Sequence, residues 1–505
     1  MNLRHQFQGM LLPLSSRDSS YSKSHGATAG SNRRVFWLAL GSLFMLLLVS
    51  VATLSSAPAL HEAPAPEEEL FERRSQLQAI AKSLVRIAQQ TTQPRGIVLP
   101  LFDGIATLGI SLIFELRERG VELPIEVPHC GDLDERLSAK LTAHDPRVRV
   151  YDACQEAATY RYARDSTSQR HKLFCSTLSD CHGRFRGFDI KIVALLLSRF
   201  DEVMMLDADT LFFQSPMHVW QSPKYQETGT LFFHDRVSCD HEFLAMPIER
   251  QDGKTVSHLQ DYLGNFDPLP FRSLGVVPRA QATTPLGPWI GTQAPVTLPF
   301  TPSEFLVQSH AWQRRAGHQA DSSLMLWHKK KQPRATAILG AFIALDGIGR
   351  PPSYGDKELY FLACELAESA YAFSDFGTGS FGTDVRDPET PGKAVLCGHA
   401  LHYLPDDTGA SDPPTLYINS DRIAEYKPTD KLYRSRARPA SLFPGKIELR
   451  QLAQECPFDL TVEKVTAREK ELIARRQELH ATAVSWQPPP TTEPPTTNGP
   501  VPLRL

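Results

Sequence analysis

Several signatures are missing from this chain, and each absence closes a class of function. Lys and Arg number 54 against 57 Asp and Glu, a formal net charge of -3, so the basic face that a nucleic-acid binder normally shows is absent. No Cys-x2-Cys pair occurs among the eight cysteines, which removes the usual spacing of a structural zinc site. There is no Asn-x-Ser/Thr acceptor for an N-glycan. Carboxylates and histidines are not clustered densely enough for a two-metal hydrolase. Long apolar runs are scarce too, and residues 35–54 are the one uncharged stretch that reaches the roughly 20 residues needed to cross a bilayer.

That run, Val35 to Leu54, is expected to be a signal anchor. It starts after a Ser-rich polar segment, residues 1–34, and exceeds the roughly 7–15 apolar residues of a cleaved signal peptide. Arg4, Arg17, Lys23, Arg33 and Arg34 precede it, whereas Glu62, Glu67, Glu68 and Glu69 follow. Positive charge on the cytosolic side then leaves residues 1–34 as a cytosolic tail and the bulk of the chain luminal. All eight cysteines follow the anchor, and an even number in an oxidising lumen favours disulfides. Cys175 and Cys181 form the nearest pair in sequence, although eight cysteines allow 105 complete pairings.

Residues 55–94 read as a stem. Within it, Leu70, Leu77, Ile80, Leu84 and Ile87 share one helical face from Glu67 to Gln90. This face suits either a dimerising coiled coil, and so a homo-oligomer, or a helix packed on the following domain. From residue 95 the pattern is β-α-β: a strand-like run at Gly96–Leu101, helical spacing at Ala106–Arg119 and a second apolar run at Pro124–His129. That order implies parallel strands with a crossover helix. The loop after the first strand, Pro100 to Gly104, is then a candidate nucleotide-binding loop or a simple βα turn. Residues 264–306 are proline-rich with few periodic runs, either an acceptor-shaping loop or an insertion, and neither Trp289 nor Trp312 is assigned to a site. The region 436–486 is an extension in which Val462–Trp486 reads as a charged helix. A Pro/Thr tail, 487–505, has no core-forming residues.

The stretch Phe200 to Pro216, Phe-Asp-Glu-Val-Met-Met-Leu-Asp-Ala-Asp-Thr-Leu-Phe-Phe-Gln-Ser-Pro, organises the rest. Glu202–Leu206 is a buried-strand pattern stopped by Asp207 and Asp209. Carboxylates at the C-terminal end of a strand in an open α/β sheet face the ligand crevice. Two aspartates flanking a small alanine can share a hard divalent cation, completed by water and the phosphates of a nucleotide. The alternative is a capped turn after a core strand. Asp-x-Asp alone does not decide, since Asp132-Leu133-Asp134 matches it in a polar turn with no strand leading in.

Arg186-Gly-Phe-Asp-Ile-Lys191-Ile-Val-Ala-Leu-Leu-Leu-Ser198, the Asp207-Ala-Asp209 stretch, Pro216-Met-His-Val-Trp220 and Thr228-Gly-Thr-Leu-Phe-Phe-His-Asp235 together resemble the core block of the fungal α-1,3-mannosyltransferases of glycosyltransferase family 71. Gly96-Ile-Val-Leu-Pro100 upstream, with Tyr354-Gly-Asp-Lys-Glu358 and Cys397-Gly-His-Ala-Leu-His402 downstream, follow in the same order. The segment from Cys239 to Gln319 departs from the pattern.

The resemblance implies a Rossmann-like GT-A nucleotide-sugar transferase domain over 95–435, behind the anchor of a Golgi type II membrane protein. It implies retaining transfer of mannose from GDP-mannose to mannose residues of a glycan, in an α-1,3 linkage, with Mn²⁺ or Mg²⁺. Lys191, Gly96 and Pro100 would meet the donor together with Asp207, and Asp321 and Asp356 would stand near the reacting sugar. Asp207, Asp209 and His402 would hold the metal, imidazole favouring Mn²⁺, with His399 in reserve. On the residues alone, Lys191 also reads as the flank of a core helix, Asp356 as a helix cap and His402 as a satisfied core histidine. Two rival functions stand beside this one: a transferase using another nucleotide sugar, such as a UDP-sugar, and an inactive luminal glycan-binding relative.

Overall fold

The computed structural model describes residues 67–164, 169–237, 242–280, 296–405, 412–440 and 456–487. The expected anchor at 35–54, the tail at 1–34, Trp289 and Cys239 lie outside them, as does all but Gln487 of the Pro/Thr tail. Among the described residues no helix is long and apolar enough to cross a membrane.

The first sheet is built from β1 (Gln93–Val98), β2 (Ile125–His129), β3 (Val148–Asp152), β4 (Phe200–Leu206), β6 (Thr230–His234) and β7 (Ala320–His328), in the order β3-β2-β1-β4-β7-β6. β1 runs parallel to both β2 and β4, while β7 is antiparallel to β4 and β6. The β-α-β expectation therefore holds, with helix α2 (Ala106–Glu118) as the first crossover. The chain steps outward from β1 to β3, then returns to place β4 on the other side of β1. Between β1 and β4 the order reverses, and the crevice outside such a reversal is where α/β sheets bind ligands.

A second sheet takes β5 (Thr210–Phe212), β8 (Gly379–Arg386), β9 (Val395–Tyr403), β10 (Thr415–Asn419), β11 (Tyr433–Ser435) and β12 (Val462–Lys464), ordered β12-β11-β8-β9-β10-β5. β4 and β5 are consecutive in the chain but belong to different sheets.

Helix α1 (Glu67–Ala88) is part of the packed domain. Leu77, Ile80, Leu84 and Ile87 are buried against α4 (Pro333–Ile343), whose Gly340 leaves room for Leu84: a Cβ there would lie 2.7 Å from a Leu84 methyl. Of the two stem readings the packed helix is observed, since α1 packs on the domain that follows it. At the other end, Val462–Lys464 is strand β12 rather than helix. Helix α6 (Ala467–Val484) starts behind a Thr466–Glu469 capping box. The flanks of the proline-rich segment are packed: Phe266, Phe271 and Phe300 cluster with the core, and Trp312 is buried. Cys175 pairs with Cys181 as expected, and Cys130–Cys154 and Cys397–Cys456 are also bridged.

Candidate active site

β4 ends at Leu206 and β5 begins at Thr210, so Asp207-Ala208-Asp209 is a three-residue joint between the two sheets. It lies at the carboxyl edge of β4, beside the reversal in strand order. Its backbone is tied from several directions. The Asp207 N–H donates to the Ser323 carbonyl on β7 (2.8 Å), and the Asp209 carbonyl accepts from the Ser420 N–H (3.0 Å) just past β10. The contrasting Asp134 does cap a helix, accepting from the Arg136 and Leu137 N–H groups.

Behind the joint stands Lys191, buried on helix α3 (Ile190–Leu197). Its Nζ lies 2.6 Å from Asp207 Oδ1 and 3.5 Å from Asp356 Oδ2, and donates to the Ser322 hydroxyl at 3.2 Å. Burial opposes its charge, but Asp207 and Asp356 outweigh it and hold the ammonium above its ordinary range. Lys191 is thus a fixed counter-charge within the protein, not a solvated helix flank. Asp356, 1% exposed, accepts from Tyr360 Oη at 2.8 Å and Ser322 Oγ at 3.2 Å. The helix that follows it, α5 (Leu359–Leu366), starts without a side-chain cap, so the capping reading of Asp356 fails. Its enclosure by Lys191, Ser322 and Tyr360 also argues against direct contact with a sugar.

Asp321 occupies the start of β7, where the sequence places it. One oxygen accepts from the Ser323 N–H (2.6 Å) and the other lies 3.3 Å from His402 Nε2. Burial pushes this carboxyl up, but His402, Lys357 and Ser323 together hold it well below the usual carboxylate range. His402, expected as a third metal ligand, is placed beside Asp321. Its imidazole is 2% exposed, stacked on Tyr417 and committed to Asp321. Among the described residues no group of three His, Cys, Asp or Glu side chains is gathered to hold a metal ion. The sequence missed Lys357, whose Nζ lies 2.6 Å from Asp235, and Glu358, fully buried and accepting from the Gln319 and Ala320 N–H groups. Both sit inside the quoted Tyr354–Glu358 motif, but nothing in it separates them from surface charges.

Gly96 is explained by packing. A Cβ there would lie 2.3 Å from the Phe200 ring, in mid-strand, so glycine is required for β1 to lie against β4. Pro100 follows the end of β1 and is half-buried.

Acid outnumbers base in this cluster: Asp207, Asp209, Asp235, Asp321, Asp356 and Glu358 meet Lys191, Lys357 and His402. The surplus shows at Asp209, pushed up to about 7 by burial and then by the charge of Asp207. Asp207 is also raised, by burial against the pull of Lys191. A carboxylate pair that binds a proton near neutrality is short of positive charge, and two adjacent hard oxygen donors fit a divalent cation that keeps water or phosphate in its remaining positions.

Residues 94–404 match the family model described as "Mannosyltransferase putative". The α-1,3-mannosyltransferase MNN1 of Saccharomyces cerevisiae is 24% identical over 326 residues, covering 62% of this chain and 39% of its own. MNT3 of the same yeast, another α-1,3-mannosyltransferase, is 24% identical over 298 residues, covering 58% and 41%. The chain therefore spans about two fifths of the length of these relatives. A solved bifunctional glycosyltransferase, WbbM in its apo form, aligns with a TM-score of 0.27 and 10% identity over 56% of this chain and 38% of that one, a likeness too slight to weigh on fold or chemistry. With the match running from the start of β1 through β9, and so through every residue of the acidic cluster, the chain belongs to this mannosyltransferase family.

Proposed function

We propose that this chain is a metal-assisted retaining α-1,3-mannosyltransferase of the GT-A type, moving mannose from GDP-mannose to a mannose hydroxyl of a glycan in the Golgi lumen. One observation carries the reading: an acidic joint short of positive charge, set at the sheet's reversal point and backed by a buried lysine. The names of the relatives supply the sugar and the linkage.

Asp207 and Asp209 would hold Mn²⁺ or Mg²⁺, which when bound neutralises charge developing on the departing diphosphate. Lys191 fixes one oxygen of Asp207, so the pair keeps a single orientation toward the crevice. Asp321, kept ionised by His402 and Lys357, is an acceptor for a hydroxyl of the donor sugar. Asp356 acts behind them by holding Lys191 and Ser322, a positioning role. The three disulfides and the uncharged run at 35–54 support a luminal, type II arrangement.

A screen of radiolabelled nucleotide sugars against a mannoside acceptor, with and without Mn²⁺, tests the proposal. Metal-stimulated incorporation from GDP-mannose, with UDP-sugars at background, is the expected result. Preference for a UDP-sugar would overturn the donor while sparing the metal site. No transfer from any donor, with glycan binding retained, would favour the inactive binding relative.

A further inference from the structure

We infer that Arg476, on the C-terminal helix and beyond the family-matched region, is the positioning residue that sets the geometry of the Asp207–Asp209 joint. The inference rests on the proposed metal site. Arg476 is among the largest fully buried side chains in the molecule, and a guanidinium has five N–H donors in a rigid fork. All five have a partner. Nε donates to Ser111 Oγ (2.9 Å), Nη1 to Glu115 Oε2 (2.5 Å) and the Thr210 carbonyl (2.9 Å), and Nη2 to the carbonyls of Leu108 (3.1 Å) and Ala208 (3.1 Å).

Two of those acceptors flank Asp209, Ala208 within the joint and Thr210 just past it. Ala208 C=O fixes the peptide plane entering Asp209, and Thr210 C=O fixes the plane leaving Thr210, two planes further on. Ser420 N–H holds the plane between them through Asp209 C=O. Three successive planes are thus fixed, and a planar peptide leaves only φ and ψ free, so the direction of the Asp209 side chain is set from behind. Glu115 extends the brace, since its other oxygen accepts from the Phe212 N–H (3.1 Å) and Arg119 Nε (2.8 Å).

The plainer role would be to dock helix α6, and its neighbours separate the two. Gln477 donates to the carbonyls of Ile423 and Tyr426, and Arg475 pairs with Glu118 at the surface. These contacts dock the same helix without touching the joint.

The test titrates Mn²⁺ into the full chain, following free Mn²⁺ by electron paramagnetic resonance beside a melting curve. Arg476→Lys keeps the charge but offers three donors to five acceptors. It should weaken Mn²⁺ binding by roughly 10–100-fold, the usual effect of removing a group that orients a ligand. Gln477→Ala should lower the melting temperature and leave Mn²⁺ affinity unchanged. If Arg476→Lys does not fold, Glu115→Gln is read instead, and should weaken Mn²⁺ in the same direction by loosening the guanidinium. Unchanged affinity in the Arg476 or Glu115 variant, or an equal loss in Gln477→Ala, overturns the inference. An Asp209→Asn variant that binds Mn²⁺ as the native chain does would instead remove the metal site itself.

Discussion

Replacing Asp209 by Asn should make the metal-free protein more stable while abolishing transfer. The Asp209 carboxyl is pushed from 3.8 up to about 7, first by burial and then by Asp207. Three pH units at about 1.4 kcal/mol each set a ceiling of about 4 kcal/mol, and partial exposure of the joint scales this to about 1–2 kcal/mol. The folded carboxyl holds its proton more tightly than the unfolded one. The penalty is therefore absent below about pH 4, grows between pH 4 and 7, and is complete above pH 7. Asn matches Asp in size and carries no charge, so the variant escapes it. Without metal at pH 8 it should melt about 1–3 °C above the native chain, with the gap closing toward pH 4. Mn²⁺ should raise the melting temperature of the native chain by binding its folded form and leave the variant nearly unmoved. The assay is thermal melting across pH 4–8, with and without Mn²⁺, beside initial rates. A variant that melts lower at pH 8, gains as much from Mn²⁺ and still turns over would refute the cation site and restore the structural turn.

Leu84→Ala should cost about 3 kcal/mol or more in a denaturant titration, since Leu84 is fully buried over Gly340; a loss below about 1 kcal/mol would show α1 to be a detachable stem. Lys191→Met leaves Asp207 and Asp356 facing each other without their shared cation, and should cost about 3–5 kcal/mol; near-native stability at neutral pH would contradict the buried pairing. Glu358 is pushed up to about 8, chiefly by burial, so its contribution to stability falls as pH rises from the ordinary glutamate range to about 8, at up to about 1.4 kcal/mol per pH unit. Glu358→Gln should flatten that slope in melting curves, and an identical pH profile would show the carboxyl to be ionised throughout.

What the sequence made legible was local. The apolar run into Asp207 is strand β4, the Gly96–His129 pattern is a parallel β-α-β unit, and the six-residue spacing of Cys175 and Cys181 is a disulfide. What was not legible depends on which strands meet. His402 pairs with Asp321 across 81 residues because β9 and β7 come from different sheets, and nothing near either residue records that. Gly96 is expected to meet the donor, whereas the neighbour that requires a glycine there is the Phe200 ring on the next strand. In the run Ala-Arg-Arg-Gln, Arg475 is half exposed and Arg476 fully buried. Arg476 shares the buried face of α6 with Ile473, Leu479 and Ala483, but the partners of its guanidinium, on α2 and beside the joint, are hundreds of residues away and leave no mark near it.

The joint also has a timetable. The Thr210 carbonyl just past it and the guanidinium that holds that carbonyl are 266 residues apart, and at roughly 5–20 residues per second a ribosome separates them by tens of seconds. During that interval both aspartates and most of both sheets have been made, but the peptide planes around Asp209 are not yet fixed. A nascent chain therefore passes through a long period in which its acidic cluster exists without its final shape. A premature stop after the family-matched region but before Arg476 would release a chain held permanently at that stage.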